Sequence, residues 1–240
     1  MSQDNISDVE VILFDVFGTV VDWRTSLLKW FQRFGRENHF QADWAGLVDD
    51  WRAAYQPSMD RVRKGQRPYV TLDVLHRESL DALLPRYGLG NVLETDCQEI
   101  ARAWRWLDPW PNTANGLTRL KQKYVIGTLS NAGLGLLVDM AKYAALPWDV
   151  VLCGDVFQRY KPDAAVYVKA AELMARPTSA LMLVAAHNYD LAAARSHGYR
   201  TAFVARPTEY GPRQKQDYGP EDAWDVTATN MEELAEKMGA

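Results

Sequence analysis

The sequence predicts an α/β protein with a doubly wound, Rossmann-like parallel-sheet core and a helical cap inserted near its start. Three observations predict it. The apolar run Val11 to Phe14 ends in Asp15, with Gly18 just beyond; such a run reads as a buried strand of a parallel sheet, closed by a sharp turn. The next stretch, to about Trp106, places apolar residues at helical spacing and carries no strand signal. Beyond Asp108-Pro109-Trp110-Pro111 the pattern changes to strands alternating with helices, the signature of βαβ units. The expected division is a core of residues 1–22 and 107–240 and a cap of residues 23–106.

The elements follow in order. Trp23–Gly35, Trp44–Val62, Val70–Tyr87 and Asn91–Trp106 each read as one helix, punctuated by Lys64-Gly65-Gln66-Arg67-Pro68 and Gly88-Leu89-Gly90. Thr113–Lys123 reads as a helix, Tyr124–Leu129 as a strand ending at Ser130-Asn131, Gly133–Ala144 as a helix and Asp149–Cys153 as a short strand. Helix Asp163–Ala175, strand Ala180–Ala185, helix Tyr189–His197 closed by Gly198, and strand Arg200–Val204 continue the alternation. Arg206–Glu221, rich in Pro, Gly and charge, reads as a loop, and Trp224–Thr227 and Met231–Lys237 as a last strand and helix. The cap is expected to close over the carboxyl ends of the strands, with hinges near Trp23 and Trp106.

Composition narrows the partners. With 48% hydrophobic and 24% charged residues in 240, the chain has the apolar content for a sizeable core and is not of disordered type. A net charge of −4 without a basic tract argues against nucleic acid. No apolar run approaches the roughly 18 residues of a membrane span, and the polar segment Met1–Glu10 does not read as a signal peptide. Cys97 and Cys153 lie far apart, so a reducing, cytoplasmic setting is expected rather than a disulfide or metal pair.

Chemistry-bearing residues gather at the predicted strand ends. Asp15 follows the first strand, Ser130-Asn131 the second, Lys161 the third after several residues, and Asp190 the fourth. Open α/β sheets bind ligands at the carboxyl ends of their strands. Each residue also has a plainer reading. Asp15 suits a turn, Ser130-Asn131 a helix cap, Lys161 a solvated surface, and Asp190 a first helical turn. All four coinciding at strand ends favours one converged site.

Phe14-Asp15-Val16-Phe17-Gly18-Thr19-Val20, Thr128-Leu129-Ser130-Asn131, Tyr160-Lys161-Pro162-Asp163 and the acidic segment ending in Asp190 together resemble the four motifs of the haloacid dehalogenase superfamily. Within it the chain is similar to the metal-independent 2-haloacid dehalogenases: Lys161-Pro162-Asp163-Ala164-Ala165-Val166-Tyr167 matches that branch, and Trp51-Arg52 resembles its substrate arginine. The chemistry of two positions supports that branch. Superfamily phosphatases place a second Asp two residues after the nucleophile, where this chain has Phe17, and carboxylate ligands in the fourth motif, where it offers Ala186. Neither side chain supplies the hard oxygen that Mg²⁺ prefers, so no metal or other cofactor is expected. A phosphatase or phosphonate-cleaving enzyme, and a catalytically silent binding protein, are the rival readings.

The resemblance implies a two-step hydrolysis of short 2-haloalkanoic acids such as chloroacetate and (S)-2-chloropropanoate. Asp15 displaces halide to form an alkyl ester, and water then cleaves the ester with net inversion. Lys161 keeps Asp15 ionised and, with Asp190, steers the water. Ser130, Thr19 and the backbone N–H groups of Val16 and Phe17 hold the substrate carboxylate, and Arg52 and Asn131 hold the halide. Tyr167 has two readings, a member of this network or a core tyrosine. His187 stands where the known pattern has Asn and Ala185 where it has Ser; His187 is either a halide or water neighbour or a buried, satisfied histidine. As a charged donor it would suit fluoride, with fluoroacetate as the demanding substrate. The loop Arg206–Pro212 reads as lining the mouth or a subunit contact, and Trp23, Trp44 or Trp106 as apolar pocket wall. The resemblance also implies a homodimer.

Overall fold

β1 (Val11–Phe14), β2 (Val125–Ser130), β3 (Val150–Cys153), β4 (Leu181–Ala185), β5 (Arg200–Val204) and β6 (Val226–Ala228) form one parallel sheet in the order β3-β2-β1-β4-β5-β6. The computed structural model describes residues 6–240; the first five residues of the polar N-terminal segment lie outside the described residues. β1 and β4 are buried along their whole length because both faces of the sheet are covered. Ile12 and Phe14 join one hydrophobic cluster, while Val11 and Leu13 join the other, the alternation that a pleated strand imposes. The chain leaves β1 for β2 on one side and returns to β4 on the other, so the sheet's topological switch point lies between β1 and β4. Asp15 follows β1 and donates its N–H to Val184 O of β4 at 3.0 Å.

Between β1 and β2 the described residues contain helices α1 (Trp23–Glu37), α2 (Trp44–Ala53), α3 (Tyr55–Arg63), α4 (Leu72–Leu83) and α5 (Glu94–Ala101), with 3₁₀ turns at Leu84–Tyr87 and Arg102–Arg105. Asp22 and Asp43 cap α1 and α2 by accepting the N–H groups of Thr25 and Gly46, the usual role of Asp at these positions. Trp44–Val62 is two helices rather than one. Pro57 has no N–H to offer Ala53 O four residues back, so the helix ends and α3 restarts with proline in its first turn. Pro85 likewise sits in the 3₁₀ turn that ends the α4 region. The two ends of the insertion are stitched together: Asp22 N–H bonds Asp108 O, Trp110 N–H bonds Val20 O, and Val21 bridges Pro109. Its aromatic interior, including Trp23, Trp51 and Trp104, is continuous with the cluster on one face of the sheet.

Past the insertion come α6 (Thr113–Lys121), α7 (Leu134–Tyr143), α8 (Gly154–Phe157), α9 (Ala164–Met174), α10 (Asn188–Ser196) and α11 (Met231–Lys237). Sequence periodicity did not resolve α8, a single turn. The 206–221 loop contains one 3₁₀ turn, Gly211–Arg213, and is pinned by buried polar groups. Asn188 donates to Asp217 and accepts from Glu221 N–H and Trp224 Nε1, and Arg206 Nε donates to Thr19 O at 2.9 Å. Among the described residues no helix is long and apolar enough to cross a membrane.

Candidate active site

The turn after β1 is drawn tight by Val20 and Val21, whose N–H groups both reach Val16 O, and by Gly18 at φ +86°. It presents Asp15 at the switch point with each carboxylate oxygen held differently. Oδ1 accepts from Lys161 Nζ at 3.0 Å. Oδ2 accepts from Thr19 Oγ1 at 2.8 Å and lies 3.0 Å from His187 Nδ1.

On the Oδ1 side the partners come from the core. Lys161, 2% exposed, also donates to Asp190, which sits in the first turn of α10 and takes the Tyr167 hydroxyl at 2.7 Å. Tyr167 is therefore part of the network, and its ring also packs on His197 and Tyr199. Burial pulls Lys161 down, but Asp15 and Asp190 outweigh it and hold the ammonium above its ordinary value. Burial likewise pushes Asp15 up; Lys161 and His187 overcome it and hold this carboxyl well below the usual range. Asp190 is pushed up by burial, so of the two carboxylates Asp15 is the one most firmly kept as an anion.

On the Oδ2 side the structure revises two expectations. Thr19 spends its one hydroxyl proton on Asp15 and accepts Ala186 N–H at 2.9 Å, which leaves no proton for a substrate carboxylate. Thr19 serves Asp15 instead. His187 has no free edge for a halide: Nδ1 faces Asp15, and Nε2 lies 3.0 Å from Glu209 Oε2. Burial disfavours the imidazolium, yet Glu209 and Asp15 raise it well above the ordinary histidine range. Glu209, 1% exposed, also accepts from Trp23 Nε1 at 3.0 Å and lies 4.0 Å from Arg52 Nη2. Sequence reading missed it because the Pro- and Gly-rich loop around it carries no periodicity.

Above Asp15 lies the insertion. Arg52, its side chain 9% exposed, packs its guanidinium 4.3 Å from the Tyr55 ring centroid and 5.4 Å from that of Trp23, and its buried Nε has no partner. Tyr55 faces Asn131. Asn131 Oδ1 accepts Lys161 N–H at 2.6 Å, so the amide turns its NH₂ donors the other way. Ser130 Oγ accepts Ala132 N–H in a local turn and does not cap the next helix, whose N-cap is Gly133; it retains its own proton to donate. Phe17 packs against Tyr55, His76 and Trp104. A cleft of about 740 Å³ opens beside Arg52, lined also by Trp23, Gln56, Arg63, Tyr189 and Tyr210 among others, while Asp15, Ser130, Asn131 and Lys161 lie beneath its lining. The 206–212 loop thus lines the mouth through Tyr210 and Pro212. Of the tryptophans proposed as wall, Trp23 lines the cleft; Trp44 stacks on Phe31 and Trp106 meets Tyr143 edge to face, away from it.

The donor set does not fit a divalent cation. The group between Asp15 and Asp190 is an ammonium, and Phe17 and Ala186 offer hydrocarbon. Among the described residues no group of three or more His, Cys, Asp or Glu is arranged to hold a metal ion. The site suits nucleophilic attack by a fixed carboxylate on an anion drawn in by Arg52.

Residues 9–198 match the family model of haloacid dehalogenase-like hydrolases. The chain belongs to that family. Among solved structures, this haloacid dehalogenase-like hydrolase is similar to the defluorinating L-2-haloacid dehalogenase Rha0230, with 45% identity, a TM-score of 0.94, and 97% and 96% of the two chains covered. It is also similar to the L-2-haloacid dehalogenase PA0810, with 48% identity, a TM-score of 0.92, and 96% and 99% covered. Among curated proteins, (S)-2-haloacid dehalogenase 4A of Burkholderia cepacia is 24% identical over 238 residues, 96% of this chain and all of that one.

Proposed function

We propose that the protein hydrolyses the carbon–halogen bond of short 2-haloalkanoic acids without a metal, with inversion at C2, and that fluoroacetate lies within its range. The observation that carries the reading is the asymmetric hold on Asp15. Oδ2 is committed to Thr19 and His187, whereas Oδ1 meets Lys161 alone. The less encumbered Oδ1 is the oxygen that attacks the substrate carbon. Halide leaves with the bonding pair and needs no proton, which suits a site with Phe17 where a general acid would stand. Arg52 and the Asn131 amide receive the halide; Ser130 and the N–H groups of Val16 and Phe17 hold the substrate carboxylate. Water, oriented by Asp190 and Lys161, then attacks Asp15 Cγ, and the charge that builds on Oδ2 meets donors already in place. The alkyl oxygen departs with a proton as the 2-hydroxy acid, and Asp15 is regenerated. Residues 23–106 act as the cap that shuts out bulk water. Likeness to a defluorinating enzyme at 45% identity supports the extension to fluoride.

Halide release from chloroacetate, bromoacetate, (S)-2-chloropropanoate and fluoroacetate, with and without EDTA, tests the proposal. All four are expected to react, fluoroacetate slowest because its bond is strongest, with EDTA inert and (R)-lactate formed from the chiral substrate. Activity abolished by EDTA and restored by Mg²⁺, or absent on all four acids, would overturn it.

A further inference from the structure

Both ring nitrogens of His187 face carboxylate oxygens, Nδ1 toward Asp15 at 3.0 Å and Nε2 toward Glu209 at 3.0 and 3.1 Å. A neutral imidazole has one N–H and one lone pair, so in either tautomer a lone pair would point at a carboxylate. Only the imidazolium donates to both. We propose that Glu209 is a positioning residue that fixes His187 as an imidazolium, and so as a permanent donor to Asp15 Oδ2.

The surroundings of Glu209 fit that role. It is buried in a loop tied to the nucleophile turn by Arg206 Nε on Thr19 O. Trp23 Nε1 donates to the same oxygen that faces Arg52 at 4.0 Å, so the carboxylate meets one N–H donor, the His187 ring and a nearby guanidinium charge. A buried anion persists only with such partners. Gly18 supplies an independent sign of close fit: a Cβ built there would fall 2.1 Å from Glu209 Oε1. The nucleophile turn leaves room at that position for the carboxylate and for no side chain of its own.

Resting on the hydrolytic reading above, the consequence is chemical. As water attacks the Asp15 ester, charge collects on the carbonyl oxygen, where Thr19 and the imidazolium both donate. In the ester Asp15 is uncharged while Glu209 stays anionic, so a His187 that loses one proton keeps the other on Nε2 and turns a lone pair toward the developing oxyanion; turnover falls as pH rises through the His187 pKa. The groups around the ring set that point. Asp15 faces it from the β1 turn and Glu209 from the loop; Tyr189 stacks on it from α10 at 5.8 Å. Tyr210 lies close by in the loop, Arg52 of α2 stands beyond Glu209, and Lys161 stands across Asp15. Glu209 and Asp15 favour the imidazolium, and Arg52 and Lys161 oppose it. Glu209→Gln removes the first of these anions and is expected to move the loss of the proton to lower pH.

The test reads the proton directly. In ¹⁵N-histidine NMR of the free protein, with the signal assigned by its absence in His187→Asn, His187 is expected to stay an imidazolium well past neutral pH. In Glu209→Gln it is expected to deprotonate at least roughly one pH unit lower, and in Glu209→Asp to recover part of that shift. The alkaline limb of kcat for chloroacetate, which includes hydrolysis of the ester, is expected to move in the same direction, whereas a purely structural role would lower the plateau and leave the limb in place. A neutral His187 in the wild type at pH 7, or one that titrates identically in the Gln variant, overturns the proposal. The wild-type signal decides even if the variants fail to fold. A wild type without halide release overturns the hydrolytic reading instead, since the NMR titration needs no turnover.

Discussion

His187 and His76 are equally buried, each 2% exposed, and they carry opposite charge states. His187 lies between Asp15 and Glu209 and is held protonated. His76, on α4, is stacked 4.4 Å from the Trp104 ring centroid, with Phe17, Trp51 and Tyr55 around it. Neither of its nitrogens has a partner, and burial, aided by nearby Arg52, lowers it to about 3. Burial opposes charge at both sites; neighbouring carboxylates reverse the outcome at one of them. The contrast divides the site into two layers. The core side is a bed of alternating charges, Asp190, Lys161, Asp15, His187 and Glu209, and the side of the inserted helices is a roof of aromatic rings that carries Arg52. A nucleophile needs the first layer, and a small organic anion losing its water shell suits the second.

Breaking the charged bed is expected to have the largest effect. Lys161→Met leaves Asp15 and Asp190 buried without their shared cation. The expected cost is about 3–5 kcal/mol of unfolding free energy, the scale of removing one partner of a buried pair, together with loss of halide release. Urea unfolding within about 1 kcal/mol of wild type would show that the bed is not held by charge.

The roof's Arg52 comes next. Arg52→Ala is expected to lower kcat by roughly 10²-fold or more, on the scale of losing a transition-state donor. A near-normal kcat in a halide-release assay would place the leaving-group site elsewhere.

His187→Asn sharpens the contrast further. Because His187 faces Asp15 and not the leaving group, chloroacetate turnover is expected to fall about tenfold or more, as one of two donors on Oδ2 is lost, and fluoroacetate turnover, held back by its stronger bond, by no larger a factor. A larger loss on fluoroacetate would move His187 to the halide. The stability gap between wild type and this variant also has a fixed sign with pH. A raised histidine pKa stabilises most below its unfolded value of about 6.5, and that contribution is lost as pH rises through the folded value. The gap in urea unfolding is therefore expected to be widest below about pH 6.5 and to narrow steadily above it until the folded His187 has lost its proton.

His76→Phe is the smallest perturbation. It replaces two unpartnered nitrogens by carbon in an aromatic surround, so stability is expected to be unchanged or up by about 1 kcal/mol at neutral pH. The sign with pH is opposite to that of His187. A histidine lowered from 6.5 to about 3 in the fold costs stability as pH falls through that interval. The variant's advantage is therefore expected to grow toward pH 4. An advantage that shrinks on acidification would mean that His76 is charged in the fold.

The core side was largely legible in the sequence because it is written in strand ends. Asp15, Asn131, Lys161 and Asp190 each follow an apolar run, and parallel strands bring such positions together without further information. Tyr167 was legible only through the family resemblance, six residues after Lys161, and its bond to Asp190 was not. The roof was legible as helices but not as contacts. Tyr55 reaches Asn131, and His76 its aromatic cage, through tertiary packing that helical periodicity does not specify. Glu209 was hidden most completely, because irregular loop backbone has no period from which burial can be read. The one trace it left is Gly18: the turn explains its positive φ, and Glu209 explains why no Cβ fits there. The helix break at Ala54 was written in Pro57 and went unread because the apolar pattern continued across it.

Everything turns on Asp15 forming a bond to carbon, and single-turnover hydrolysis of chloroacetate in ¹⁸O-water reads this directly. With enzyme in excess, mass spectrometry of the digested protein is expected to find ¹⁸O in the peptide carrying Asp15 and ¹⁶O in the glycolate released in that turnover. Glycolate that carries ¹⁸O from the first turnover, with Asp15 unlabelled, would mean that water attacks the substrate itself and that Asp15 is not the nucleophile.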